Sequence, residues 1–139
     1  MIGIDKVYLD TNFLVDALIE DRPQGEQAFE ILARIGEGAL LGFVMPSQFI
    51  DFYYICRKCG MDDAARRKSI ALLMDWCTVY YPNRETLEVA LNSDEPDFED
   101  GMIRAAAEQV GVDFIISRDA KAFANSPIPR IEPANFLQR

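Results

Sequence analysis

The stretch Ala39-Leu40-Leu41-Gly42-Phe43-Val44-Met45, followed at once by Pro46, decides the fold class. It is apolar throughout and does not alternate with polar residues. A strand of that character is covered on both faces, as the strands of a parallel sheet are. Pro46 suits the first turn of a helix, and an apolar helical pattern then runs to about Lys58, closed by Gly60. The same strand-then-helix unit recurs on either side. Upstream, Lys6–Leu9 reads as a strand ending at Asp10, and Asn12–Ile19 as a short helix. Pro23 suits the first turn of a second helix with the stripe Ala28, Ile31, Leu32 and Ile35, stopped by Gly36 and Gly38. Downstream, Asp62–Asp75 reads as a helix and Cys77–Tyr81 as a third strand stopped by Pro82. Arg84–Leu91 is helical, Asn92–Pro96 a polar loop, and Phe98–Val110 a helix ended by Gly111. Val112–Ile116 is a fourth strand and Arg130–Glu132 a short fifth. The alternation predicts a three-layer α/β/α sandwich with a parallel sheet of four to five strands. At 139 residues, one domain over 1–139 is expected.

Composition narrows the function. The net charge of −9 argues against a bare electrostatic binder of nucleic acid, which would be basic. It leaves room for an enzyme that brings nucleic acid in through bound cations. The absence of histidine excludes more: no Ser-His-Asp triad, Cys-His pair or His-ligated zinc is available. Cys56, Cys59 and Cys77 are an odd set with no second pair to complete a zinc tetrahedron, and they read as reduced thiols. No apolar leader run opens the sequence, and the longest charge-free run, Gly38–Ile50, is too short to span a membrane. A cytoplasmic protein without a membrane partner is expected.

Parallel strands joined by right-handed crossovers bring every strand C-terminus to one edge of the sheet, where α/β proteins bind ligands. Acidic residues from four segments belong at that edge. Asp10 closes the first strand, in Val7-Tyr8-Leu9-Asp10-Thr11-Asn12, where three polar residues are more than a helix cap needs. Asp51 is the lone charge in Gln48-Phe49-Ile50-Asp51-Phe52-Tyr53-Tyr54-Ile55-Cys56. A helix apolar nearly all round is buried, and an unpaired buried carboxylate is costly. Asp97 and Asp100 open the helix at Pro96-Asp97-Phe98-Glu99-Asp100-Gly101-Met102-Ile103. Asp100 lies one turn before Ile103 on the stripe with Ala106, Ala107 and Val110. Asp97 also fits a helix cap, and Glu99 lies off the stripe, toward solvent. Asp119 follows the fourth strand in Phe114-Ile115-Ile116-Ser117-Arg118-Asp119.

Carboxylates converging this way repel one another unless a cation neutralises them. Oxygen ligands select a hard divalent ion, Mg²⁺ or Mn²⁺, which keeps several waters and accepts a substrate phosphate. The chemistry such an ion supports is phosphodiester hydrolysis. Asp10, Asp51, Asp100 and Asp119 are therefore the candidate catalytic and metal-holding residues, with Asp97 assisting. Thr11, Asn12 and Ser117 are placed to hydrogen-bond the cluster. Arg118, Lys121 and Arg104 are candidates for substrate phosphate.

These residues carry a resemblance. Asp10-Thr11-Asn12 after a first strand resembles the opening motif of the PIN domain family. Asp51, four residues after Ser47, stands where that family has its second acid, usually Glu. Asp97-Phe98-Glu99-Asp100 followed by Ile103, Ala105 and Ala107 resembles the third-acid helix. Ile115-Ile116-Ser117-Arg118-Asp119 with Phe123 resembles the fourth-acid strand end. Either Asp97 or Asp100 supplies the third ligand, and helical position favours Asp100. The resemblance implies a metal-dependent ribonuclease acting on RNA, similar to VapC-type toxins held by an antitoxin.

Two other readings start from the same residues. One is a PIN-like protein-interaction module without catalysis. The other is a phospho-aspartyl phosphatase or receiver with Asp10 as nucleophile, but a phosphatase of that type wants a second Asp where Asn12 stands. Phe52, Tyr53 and Tyr54 carry more aromatic surface than one helix flank usually buries. A homodimer or antitoxin contact would use part of it, and a buried core would use the same rings.

Overall fold

The computed structural model describes residues 3–139. Its centre is β1 (Lys6–Leu9), whose Val7, Tyr8 and Leu9 are wholly shielded from solvent. On one side of it lie β2 (Leu41–Val44) and then β3 (Thr78–Val79). On the other lie β4 (Phe114–Ile116) and then β5 (Arg130–Ile131). All four pairings are parallel, giving a five-stranded sheet in the order β3-β2-β1-β4-β5. The register sets Tyr8 between Phe43 and Ile115.

Successive strand residues point to opposite faces, and the core divides accordingly. Val7, Leu9, Val44 and Ile116 join one cluster, and Tyr8 and Ile115 join the other. The first face is covered by α1 (Thr11–Leu18), α2 (Gly25–Gly36), α3 (Pro46–Lys58), α4 (Asp63–Trp76) and α7 (Pro133–Leu137). They contribute Phe13 and Leu14, Ile31 and Leu32, Phe52 and Cys56, Leu73, and Phe136 respectively. The second face is covered by α6 (Phe98–Val110) through Ile103, Ala106 and Ala107, with α5 (Arg84–Leu91) packed against α6. This is the expected three-layer α/β/α arrangement.

Local chemistry explains most boundaries. Asn83 caps α5 by accepting from the Thr86 N–H at 3.0 Å, and Gly111 ends α6 at φ 78°, a conformation open to glycine. Gly36 at the end of α2 lies under the Trp76 indole, where a Cβ would come within 2.6 Å of the ring.

Several boundaries differ from expectation. Helix α2 starts at Gly25, not Pro23, because Gln24 before it takes a left-handed conformation at φ 54°. Strand β2 is four residues long with Leu41 exposed, so the apolar run 39–45 is not covered along its whole length. The third and fourth strands shorten to 78–79 and 114–116. Helix α7 was unforeseen; Pro133 opens it and Phe136 anchors it. Helix α3 is not buried all round: Gln48, Phe52 and Cys56 are inside, while Ile50 and Tyr54 are exposed at 60% and 53%.

Among the described residues, no helix is long and apolar enough to cross a membrane.

Candidate active site

The C-terminal ends of β1 and β4, helix α3 and the N-terminus of α6 surround a pocket of about 390 Å³. Asp10, Asp51, Asp97, Glu99, Asp100 and Asp119 line it, with Thr11, Asn12, Tyr54, Ile55 and Lys58. Six acids therefore face one cavity whose one basic lining residue, among the described residues, is Lys58.

Asp10 is the best-anchored acid. It is 5% exposed and caps α1, with one carboxyl oxygen accepting from the Thr11 N–H at 2.8 Å. The other accepts from the buried Ser117 hydroxyl at 2.7 Å. Burial holds its pKa above the ordinary range, and the Asp119 charge adds to this. The two hydrogen bonds and Arg118 pull the other way. Ser117 Oγ also accepts from the Asp119 N–H at 3.1 Å, so one hydroxyl ties the end of β1 to the loop after β4.

Gln48 ties the end of β2 to the end of β1. It is 1% exposed and uses both ends of its amide. Its oxygen accepts from the Met45 N–H at 2.9 Å and the Tyr8 hydroxyl at 3.0 Å. Its nitrogen donates to the Leu9 carbonyl at 2.7 Å and to Thr11 Oγ1 at 3.3 Å. The first turn of α3 is thereby pinned to the end of β1. Asp51, three residues further on, is set at the pocket wall and is half-buried. Thr11 continues the chain by donating to Glu99 Oε1 at 3.2 Å.

At the head of α6, Asp97 is the cap, accepting from the N–H groups of Glu99 at 2.8 Å and Asp100 at 3.4 Å. Asp100 is half-buried. Burial first, then the Asp10, Asp97, Asp119 and Glu99 charges, push its pKa up to about 7. Glu99 is exposed as a residue, yet partial burial of its carboxyl and the adjacent Asp51 also push it up to about 7. Its place in the pocket differs from the expectation that it faces solvent. The first turn of α6 meets the cavity end-on, so a residue beside the core stripe reaches it too.

The three cations expected near substrate are placed otherwise. Arg118 pairs with Asp16 at 2.6 Å, and Asp16, 2% exposed, is also held by Arg22 at 3.0 Å. Arg104 pairs with Asp94 at 2.5 Å, Glu95 at 3.0 Å and Glu108 at 3.5 Å, tying the loop before α6 to Asn125. Neither Arg104, Arg118 nor the exposed Lys121 is among the pocket-lining residues. Lys58 takes that place. Its spacing of seven from Asp51 sets both on one face of α3, a signal that was legible in the sequence.

The donor set is oxygen alone, which suits a hard divalent cation. Among the described residues no three acids stand close enough together to enclose an ion by themselves. An ion that keeps much of its water shell fits such a spacing.

A model of the PIN domain matches residues 6–121, from the first residue of β1 to just beyond Asp119. The chain belongs to the PIN domain family. Solved structures with this fold include a toxin–antitoxin complex from Klebsiella pneumoniae at 20% identity. That match covers 91% of this chain and 97% of the other, with a TM-score of 0.66. VapBC2 of Rickettsia felis, solved bound to a promoter DNA fragment, matches at 11% identity over 91% and 98%, with a TM-score of 0.67. The Mycobacterium tuberculosis toxin VapC20, described as cleaving the sarcin-ricin loop, matches at 17% identity over 78% and 86%, with a TM-score of 0.63. No curated protein gave a significant match. At these identities the neighbours speak to the PIN fold alone.

Proposed function

We propose that this PIN domain is an endoribonuclease that hydrolyses RNA phosphodiester bonds with Mg²⁺ or Mn²⁺. We propose further that it is the toxin of a cytoplasmic toxin–antitoxin pair. The observation that carries the nuclease reading is the convergence of six acids on one pocket faced by a single lysine. So many carboxylates in one cavity favour a bound cation over an empty site. Asp10, Asp51, Asp100 and Asp119 would hold the ion directly or through water, with Asp97 and Glu99 beside them. When bound, such an ion acts as a Lewis acid toward a phosphodiester and makes water a competent nucleophile near neutral pH.

The protein's own part is positioning. Ser117 and the Thr11 N–H fix the Asp10 carboxyl. Gln48 fixes the helix that carries Asp51, and Thr11 orients Glu99. Burial and neighbouring acids raise Asp100 and Glu99 to about 7, and a bound cation would favour their carboxylate forms. The toxin reading rests on analogy with the named fold neighbours, of which one is a toxin–antitoxin complex and another a toxin.

The test is cleavage of labelled RNA in Mg²⁺, in Mn²⁺ and in EDTA, with the product ends mapped. Cleavage should need the metal, leave a 5′-phosphate and disappear in Asp10→Asn. A cyclic-phosphate product, or full activity in EDTA from protein freed of contaminating nuclease, would overturn it. A PIN module without catalysis is the second reading, favoured by the lack, among the described residues, of three acids placed to enclose an ion by themselves. Titration with Mn²⁺ separates the two, since only the nuclease requires the ion to bind at this pocket.

A further inference from the structure

Helix α3 presents more than Asp51 to the acidic pocket. Tyr54, one turn on, and Lys58, two turns on, line the same cavity. Tyr54 is 53% exposed and its ring meets that of Tyr53 edge-on, at 5.4 Å between centroids and 86° between planes. Its hydroxyl has no hydrogen-bond partner among the described residues. Lys58 is exposed and joins none of the ion pairs among the described residues. Tyr54 also lines a second, largely apolar groove of about 450 Å³ between α3 and α4, beside Ile50 and Met74. One ring thus borders both cavities.

We infer that Tyr54 and Lys58 form a strand-binding rim: Tyr54 stacks an unpaired base beside the scissile phosphate, and Lys58 holds a neighbouring phosphate. The inference rests on the nuclease reading and adds to it two substrate-positioning residues on one face of α3. An aromatic ring more than half exposed at the mouth of a catalytic pocket suits an unstacked base, which stacks on aromatic rings without regard to sequence. A base held within a duplex is already stacked and cannot use it. A free ammonium matters here because the chain carries −9 overall, and Arg104 and Arg118 are committed to carboxylates. The apolar groove beyond Tyr54 gives the displaced base a wall of Ile50 and Met74.

The test compares wild type, Tyr54→Leu, Tyr54→Phe and Lys58→Gln. Fluorescence anisotropy would measure binding of a labelled single-stranded RNA and of its duplex in Ca²⁺, with strand integrity checked on a gel. Mn²⁺ binding is measured in parallel. Tyr54→Leu should weaken single-strand binding by about tenfold or more, leave duplex binding within about twofold and leave Mn²⁺ binding unchanged. Tyr54→Phe should keep wild-type binding. Lys58→Gln should weaken binding and lower the slope of log affinity against log salt by about 0.7. Wild-type single-strand affinity in Tyr54→Leu overturns the rim while leaving the nuclease reading in place. So does a change that appears only in self-association, which would mark the ring as a protein contact. Failure of wild type both to bind and to cleave RNA removes the nuclease reading and the rim together.

Discussion

Asp10 shows how one residue serves the fold and the chemistry at once. It caps α1, but its carboxyl is also buried among other acids. Asn is nearly isosteric, can still accept from the Thr11 N–H, and removes a charge from a crowded pocket. Asp10→Asn should therefore melt at the same temperature as wild type or higher in EDTA. Saturating Mg²⁺ should stabilise wild type by about 2.7 kcal/mol at a hundredfold excess over Kd, and the variant far less. Thermal melts with and without Mg²⁺ check both parts. A large loss in EDTA would make Asp10 mainly a cap, and equal Mg²⁺ shifts would place the ion elsewhere. Asp10 was readable from its position after a buried strand. Asp16 was not: it too is a lone charge in an apolar helix, like Asp51, yet Arg22 and Arg118 neutralise it. Sequence shows that such a carboxylate needs a partner, but the partner comes from the far side of the fold.

At the scale of elements, the placement of Asp51 depends on Gln48 more than on α3 itself. Four hydrogen bonds join that amide to the ends of β1 and β2. Gln48→Leu keeps similar bulk but strands the Tyr8 hydroxyl and the Leu9 carbonyl in the core. Unsatisfied buried groups cost about 1–3 kcal/mol each, so a loss of about 2–4 kcal/mol is expected. Urea unfolding would measure it, and a loss below about 1 kcal/mol would show that the amide is dispensable. Helix and strand order was legible from apolar runs and from Gly and Pro. The two-faced character of α3 was not, because its outward Ile50 and Tyr54 are as apolar as its inward Phe52. Periodicity cannot separate a buried helix from one whose outer face is kept apolar for another purpose. Glu99 was misplaced for a related reason: a wheel drawn for sheet contact ignores a cavity that meets a helix at its end.

For the whole molecule, charge sets the pH response. Asp100 and Glu99, at about 7 in the fold, start from ordinary values of 3.8 and 4.5. Between those limits the folded state holds more protons than the unfolded one, so stability falls as pH rises. Their contribution is complete below about pH 4 and lost above about pH 7. In EDTA the melting temperature should therefore decline from pH 5 to pH 8, Asp100→Asn should flatten the decline, and Mg²⁺ should offset it at pH 8. A melting temperature that rises across this range would contradict the crowding of the acids. The parallel sheet and the acidic edge were legible from strand ends alone. The cations were not, since ion pairing removed Arg104 and Arg118 from the pocket.

The two outer strands, β3 and β5, pair over only two residues each. Edges so short offer almost no ladder for a foreign strand to extend. Growth of the sheet into a neighbouring chain, whether as a regulated complex or as an aggregate, is disfavoured in this architecture. The helical layers are left as the larger surface for a protein partner, where side chains rather than backbone amides decide the match. Recognition of that kind rests on surface side chains that can be exchanged without disturbing the sheet beneath.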